Sequence, residues 1–241
     1  MLSSPSGRQI LRERPRISSQ TVDLDYLRTL PETTFGKIYV TWLDREHVTP
    51  DTRDPVRHIP DPELAYVLQR YRESHDLFHV LLAEKGMPSF LEGEVVVKAF
   101  EFAALGLPMT GLAALSAVKL PKEQRRRVLW GGRGGAGDTY EDVGNKDGSN
   151  NSEGEEIQAS RSSGGAKGGE PWITWAISQG LNTNTSPSGG LLNMYWEKEW
   201  ETPILELRER LGTRLPEGVG DLRVIRRRER EERKRREMAG Q

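Results

Sequence analysis

DPELAYVLQRYRESHDLFHVLL, residues 61–82, decides the fold. Asp61 can accept the unpaired N–H groups of a helix start, and Pro62 at the first helical position has no N–H to leave unpaired. From there Leu64, Val67, Leu68, Tyr71, Phe78 and Leu82 recur at three- and four-residue spacing, the apolar stripe of a helix expected to run to about Leu82. His75 and His79 fall on the same stripe, so their imidazoles point into the protein. Four residues apart, they sit one turn above each other, the spacing by which helical histidines share a metal ion. Asp76, offset by about 100°, is placed to ligate from the side or to hold a histidine from behind. Two histidines on an apolar stripe are also common as hydrogen-bonded core residues, so the motif needs a further ligand.

Reading on, Gly86-Met87-Pro88 breaks the helix, and a second one is expected to begin near Glu92 to Glu94. A helix-turn-helix returns its first turn towards the end of the preceding helix, which makes Glu94 available as a fourth ligand. Glu94, Lys98 and Glu101 share a face at i, i+4 and i+7, either as an ion-pair ladder or as a set suited to acid/base chemistry beside a metal. Residues 99–118, AFEFAALGLPMTGLAALSAV, carry Glu101 as their only charge and are long enough to cross a bilayer on count. Gly106, Pro108 and Gly111 divide them into pieces of about two turns, so a buried helix-turn-helix is expected, with a surface that dips into a membrane or grips a lipid chain as the alternative.

Before residue 61, short helices are expected around Asp23–Leu30 and Gly36–Glu46, followed by a loop through Pro50, Pro55 and Pro60. His47 and His58 lie in these loop-like surroundings and read as structural or exposed. Towards the C-terminus, PWITWAISQG resumes order at residue 171, and a helix is expected over about Leu191–Leu211, with Trp196, Trp200, Ile204, Leu207 and Leu211 forming its buried edge.

The 241 residues contain no cysteine, which excludes disulfides, thiolate nucleophiles, zinc fingers and iron-sulfur clusters, and leaves His, Asp and Glu to hold any metal. The net charge of −1 and hydrophobic share of 35% conceal an uneven distribution. Residues 131–170 hold 12 of the 25 glycines and eight acidic against four basic side chains, so the rest of the chain carries about +3. This segment is expected to be a disordered, glycine-rich acidic insertion. The expected architecture is all-α: one helical domain over 1–130 and 171–215, interrupted by that insertion and followed by a charged tail over 216–241. The tail reads as a solvated Arg/Glu helix, or as a surface for anionic lipid headgroups. The overall charge argues against a globally basic nucleic-acid binder. The N-terminus lacks the apolar core of a secretory signal.

These residues resemble a known family. YRESHDLFH, then GMP, then EGEVVVKAFEFAALGLPMTGL resemble the signature of the mitochondrial ubiquinone (coenzyme Q) biosynthesis protein four family. The resemblance extends upstream through GRQILRERPRISSQTVDLDYLRTLPE and DREHVTPDTRDPVRHIPDPELAYVLQRY, and downstream through LLNMYWEKEWETPILELRERLG. The family's His-Asp-x-x-His and later Glu map onto His75, Asp76, His79 and Glu94. Fourteen residues separate His79 from Glu94, three more than the family's spacing, as though Ala83-Glu84-Lys85 were inserted; Glu94 keeps the matching GEVVVK context and Glu92 is the fallback. Against the family pattern, the chain also begins without the N-terminal extension that usually carries the transit peptide, and the glycine-rich segment interrupts the stretch before PWITWAISQG.

The resemblance implies an all-helical protein held peripherally on the matrix side of the mitochondrial inner membrane, in a multi-subunit ubiquinone-synthesis complex. It implies a Zn2+ centre at His75, Asp76, His79 and Glu94, and C1-decarboxylation of 4-hydroxy-3-methoxy-5-polyprenylbenzoate to 2-methoxy-6-polyprenylphenol. The same four residues are then catalytic, and Leu105–Val118 is the candidate groove for the lipid tail. The expected partners are that substrate, the other enzymes of the complex and the membrane surface, with no nucleic acid and with a homodimer left open. Iron or manganese would also accept this donor set. The alternative is a non-enzymatic, prenyl-lipid-binding scaffold in which zinc only ties two helices together. A phosphohydrolase using His58, His75-Asp76 and a later aspartate is disfavoured, because the nearest later one, Asp138, falls in the glycine-rich segment.

Overall fold

In the computed structural model, the described residues are all those of the chain except Arg53, 132–169, 217–221 and 240–241. They form ten α-helices: α1 (Pro5–Glu13), α2 (Leu24–Thr29), α3 (Phe35–Glu46), α4 (Pro62–Leu82), α5 (Leu91–Leu105), α6 (Pro108–Ala114), α7 (Lys122–Trp130), α8 (Trp172–Thr185), α9 (Ile204–Leu211) and α10 (Leu222–Ala239). No strand forms among the described residues, which contain one isolated antiparallel bridge between Thr34 and Pro203. The all-α expectation is correct. The disorder expected over 131–170 concerns residues that, from 132 to 169, lie outside the described ones.

α4 starts as its sequence dictates: Asp61 Oδ1 accepts from the N–H groups of Glu63 at 2.8 Å and Leu64 at 2.9 Å. Its stripe is real from Tyr71 onwards, but Leu64 in the first turn is 59% exposed. From Glu73 to Leu82 every side chain is buried, because α4 is covered on all sides. Buried polar groups favour hydrogen-bond partners, and most of those there have them, Ser74 Oγ being an exception. On one side Glu73 takes Arg16, the Ile17 N–H and Gln69, tying the N-terminal segment to α4. At the C-terminal end, Arg208 from α9 donates to the carbonyls of Val80, Leu81 and Ala83, closing backbone acceptors that the end of a helix leaves open. Burial lowers the Arg208 guanidinium pKa to about 10.

The helix expected over Leu191–Leu211 does not form. The chain makes single 3₁₀ turns at Leu191–Asn193 and Trp196–Lys198 before α9 begins at Ile204. Pro203 has no N–H for a continuous helix, and the neighbouring backbone is committed elsewhere. Phe35 N–H donates to Thr202 C=O (2.9 Å), Gly36 N–H to Trp200 C=O (2.8 Å) and Ile204 N–H to Thr33 C=O (2.9 Å). The tryptophans still serve the core: Trp196 lies 5.6 Å from Phe35 and 6.1 Å from Phe78, and Trp200 stacks on Phe35 and Tyr39. The spacing predicted the burial but not the backbone.

Two further expectations change. Residues 99–118 do form helix, turn and helix, with Gly106 at φ +65° ending α5, but α6 and the 3₁₀ turn after it face outward rather than being buried. Within the tail, Leu222–Ala239 forms α10, and its first turns dock. Leu222 is buried, Arg223 pairs with Glu46, and the Arg226 guanidinium stands 4.0 Å above the Phe90 ring. Residues 231–238 are exposed.

Candidate metal centre

His75 and His79 project from the fully covered half of α4, and Glu94 from the first turn of α5. The Nε2 atoms of the two histidines lie 3.2 Å apart. Glu94 closes the triangle, with Oε2 3.4 Å from His75 Nε2 and Oε1 3.3 Å from His79 Nε2. The rings are almost perpendicular, at 82°. Both histidines are 1% exposed or less, and the Glu94 side chain, 32% exposed, forms the open edge.

What stands behind each ring settles which nitrogen faces the centre. His79 Nδ1 donates to the Met87 carbonyl at 2.9 Å, and Met87 N–H donates back to the His79 carbonyl at 2.7 Å. A carbonyl can only accept, so the Nδ1 of His79 carries a proton and the ring turns its Nε2 towards Glu94. Trp42 donates to the same Met87 carbonyl at 2.7 Å and packs over the His79 ring with centroids 4.9 Å apart. Gly86, at φ +79°, makes this possible, since a Cβ there would come within 2.3 Å of the Trp42 ring.

His75 Nδ1 binds the fully buried Glu101 carboxylate, whose other oxygen accepts from Tyr71 OH and from Lys98 Nζ, both at 2.8 Å. The expected Glu94, Lys98 and Glu101 face therefore exists, and it is no surface ladder. Glu94 faces the centre, Glu101 orients His75 from behind, and Lys98 neutralises Glu101. The backing roles of Glu101 and the Met87 carbonyl were not assigned from sequence. The i+7 spacing from Glu94 pointed to Glu101, whereas a backbone carbonyl leaves no sequence signal.

Two imidazole Nε2 atoms and a carboxylate thus converge on one point. Such a set repels itself unless a cation or a proton sits among them. Nitrogens held by one tetrahedral zinc are about 3.3 Å apart, which matches the observed separation. Histidines backed by a carboxylate or a carbonyl are the usual dress of metal ligands. The residues fit a divalent ion. Burial disfavours the charged form of His75, yet Glu101 and Glu94 outweigh it and raise its pKa above the ordinary value. Burial likewise opposes ionised Glu94, but hydrogen bonds from His75 and His79 hold its carboxyl well below the usual range.

Among the described residues, the converging ligand atoms belong to His75, His79 and Glu94. Asp76 is buried beside them at 6% exposure and is not one of the three. Glu92, the fallback, is elsewhere: it pairs with Arg127 at 2.7 Å, and Arg127 pairs in turn with Glu229 of α10 at 2.8 Å. His47 ends α3 in a left-handed conformation and is exposed, as is His58. Asp138 lies outside the described residues. Leu105–Val118 presents an exposed apolar row in place of the expected groove.

Fold and centre together define an all-helical protein with a buried site of two histidines and one glutamate where two helices meet. Comparison with known proteins narrows the class. The profile of the family described as "Coenzyme Q (ubiquinone) biosynthesis protein Coq4" matches residues 1–132 and 167–217, and the chain belongs to that family. It is 45% identical over 239 residues to the Podospora anserina protein named "Ubiquinone biosynthesis protein COQ4, mitochondrial", covering 99% of this chain and 62% of that one. The Aspergillus niger protein of the same name is 41% identical, with coverage of 100% and 67%. The chain thus spans roughly 60–65% of the length of several curated relatives that it matches. A crystal structure of a Nostoc punctiforme protein shares the fold, with a TM-score of 0.51, 18% identity and coverage of 87% of this chain and 76% of that one.

Proposed function

We propose that this chain acts in mitochondrial ubiquinone biosynthesis as a metal-dependent carboxy-lyase. It would convert 4-hydroxy-3-methoxy-5-polyprenylbenzoate to 2-methoxy-6-polyprenylphenol, peripherally on the matrix side of the inner membrane and within a complex of the pathway's other enzymes. The family and the names of its relatives support the pathway and the organelle. The observation that carries the chemistry is the meeting of two imidazole Nε2 atoms with the Glu94 carboxylate at an edge open to solvent.

His75, His79 and Glu94 would hold the ion, for which zinc suits the donor set. When bound, it supplies a positive charge that fixes the substrate carboxylate. The ring chemistry needs a proton at C1: the phenol para to the carboxylate pushes electrons towards C1, which takes up the proton. The phenolic proton leaves, the C1–carboxylate bond breaks with its electron pair returning to the ring as carbon dioxide departs, and the resulting phenolate oxygen takes a proton back to give the phenol. Lys98, one turn along α5 from Glu94 and 18% exposed, offers N–H donors on that side of the centre. Glu101 keeps Lys98 in place and His75 in the required tautomer. The test is phenol formation by purified protein loaded with zinc. His79→Ala and Glu94→Ala should each abolish it; unchanged turnover in either would overturn the mechanism.

A second reading rests on how enclosed the centre is. His75 and His79 are buried and their partner comes from another helix, so an ion there would also tie α4 to α5. In a prenyl-lipid-binding scaffold of that kind, removing the metal lowers the melting temperature and complex assembly together, and no turnover appears at any occupancy.

A further inference from the structure

α6 and the turn that follows it turn their apolar side chains to solvent. Met109 is 51% exposed, Leu112 69%, Leu115 65% and Val118 68%, one at every third position along a single segment. Exposed apolar residues are ordinary when scattered, but a contiguous row marks a contact surface. Phe102, 45% exposed, carries the row onto α5, its ring so close to Gly111 that a Cβ there would lie 2.9 Å away. Directly after Val118 come Lys119, Lys122 and Arg126, all exposed, against one exposed acid, Glu123.

We propose that this face docks on an anionic lipid surface. Met109, Leu112, Leu115 and Val118 enter the headgroup region, and Lys119, Lys122 and Arg126 pair with lipid phosphates. Charge selects the occupant. A two-fold contact with a second copy would set this basic rim beside its own image, whereas anionic headgroups neutralise it. The contact is with the surface, since no described helix is long and apolar enough to cross a membrane. The row also adjoins the centre: Phe102 is one turn along α5 from Lys98 and two from Glu94. A long apolar tail on a substrate bound at the centre could leave along this face. A lipid surface as occupant and that last step both rest on the membrane location in the proposed function, while exposure and charge select this face.

The test is sedimentation of the full chain with vesicles of phosphatidylcholine, alone or with about one fifth phosphatidylglycerol. The chain should bind the anionic vesicles, and added salt should weaken the binding. Leu112→Asp with Leu115→Asp should lower partitioning at least about tenfold. Lys119→Ala with Lys122→Ala should lower it and flatten the salt dependence. Leu205→Asp, at a site on α9 that is 71% exposed, should change nothing. Absence of binding to anionic vesicles, or wild-type binding by the Leu112/Leu115 variant, would overturn the proposal. So would a dimer that this variant dissolves while vesicle binding persists, which would assign the face to a second copy. Zinc content, measured on the same variants, reports on the centre separately: its loss in His79→Ala with vesicle binding intact leaves the docking standing.

Discussion

Glu92 and Glu94 stand two residues apart in the first turn of α5, and their surroundings give them opposite characters. Glu92 is fully buried against Arg127, and the burial raises its pKa, with the guanidinium only partly offsetting it. Glu94 keeps an open edge and faces two imidazoles, whose hydrogen bonds depress its pKa despite burial. A carboxylate against a permanent cation is already neutralised and has nothing to offer an ion. A carboxylate against two imidazoles, whose protons an ion can replace, has a site to complete. Two residues on a helix differ by about 200° in direction, enough to put one on a structural ion pair and the other at the centre.

The largest expected effect would break this contrast outright. Glu94→Ala should lower zinc affinity by at least about a hundredfold, more than the loss of an outer partner usually costs. Competition with a chromophoric chelator measures it, and an unchanged affinity would mean that Glu94 is no ligand. Next comes Glu92→Ala, which should cost about 3 kcal/mol of unfolding free energy, at the low end for a broken buried pair because Arg127 keeps Glu229. Its zinc affinity should stay at the wild-type level, and a fall would make the fallback ligand a real one. Glu101→Gln sharpens the contrast from behind. It leaves the ligands in place but weakens the brace on His75, so zinc affinity should drop about tenfold to a hundredfold with the fold intact.

The smallest effect is on pH dependence. In metal-free protein the raised His75 pKa contributes stability that is fully present below its ordinary 6.5 and is lost as pH rises through the higher folded value. The depressed pKa values of Glu94 and Glu101 act oppositely: their contribution is present above the ordinary 4.5 and lost as pH falls through the folded values. Both are complete between pH 4.5 and 6.5, so the melting temperature of the metal-free protein should be highest there and decline towards pH 8. Zinc competes with the proton at His75, so it should stabilise more at pH 8 than at pH 6.

Much of this was legible in the chain. The Asp61-Pro62 start and the four-residue spacing of His75 and His79 follow from rules that act within one or two turns, and the structure contains both. The run from Leu191 to Leu211 misled for an instructive reason. Tryptophan and leucine spacing reports which side chains are buried, but the backbone bonds that prevent a helix there come from Thr33, Phe35 and Gly36, more than 160 residues away in sequence. The stripe of α6 misled in the opposite sense, because an apolar row looks the same in sequence whether a neighbour covers it or not.

The residues of the chain alone therefore established which types could hold a metal, that two of them share a helix face, and that the family's signature is present. Each of these is a property of composition or of the 3.6-residue period. The GEVVVK context had favoured Glu94 over Glu92, but only the tertiary structure shows Glu94 beside the histidines with Glu92 turned to Arg127, and Glu101 and a backbone carbonyl behind the two rings. It alone turned the row from Met109 to Val118 outward. Those outcomes depend on how α4, α5 and α6 lie against one another, and the period of a helix says how its faces are spaced, not what stands opposite them.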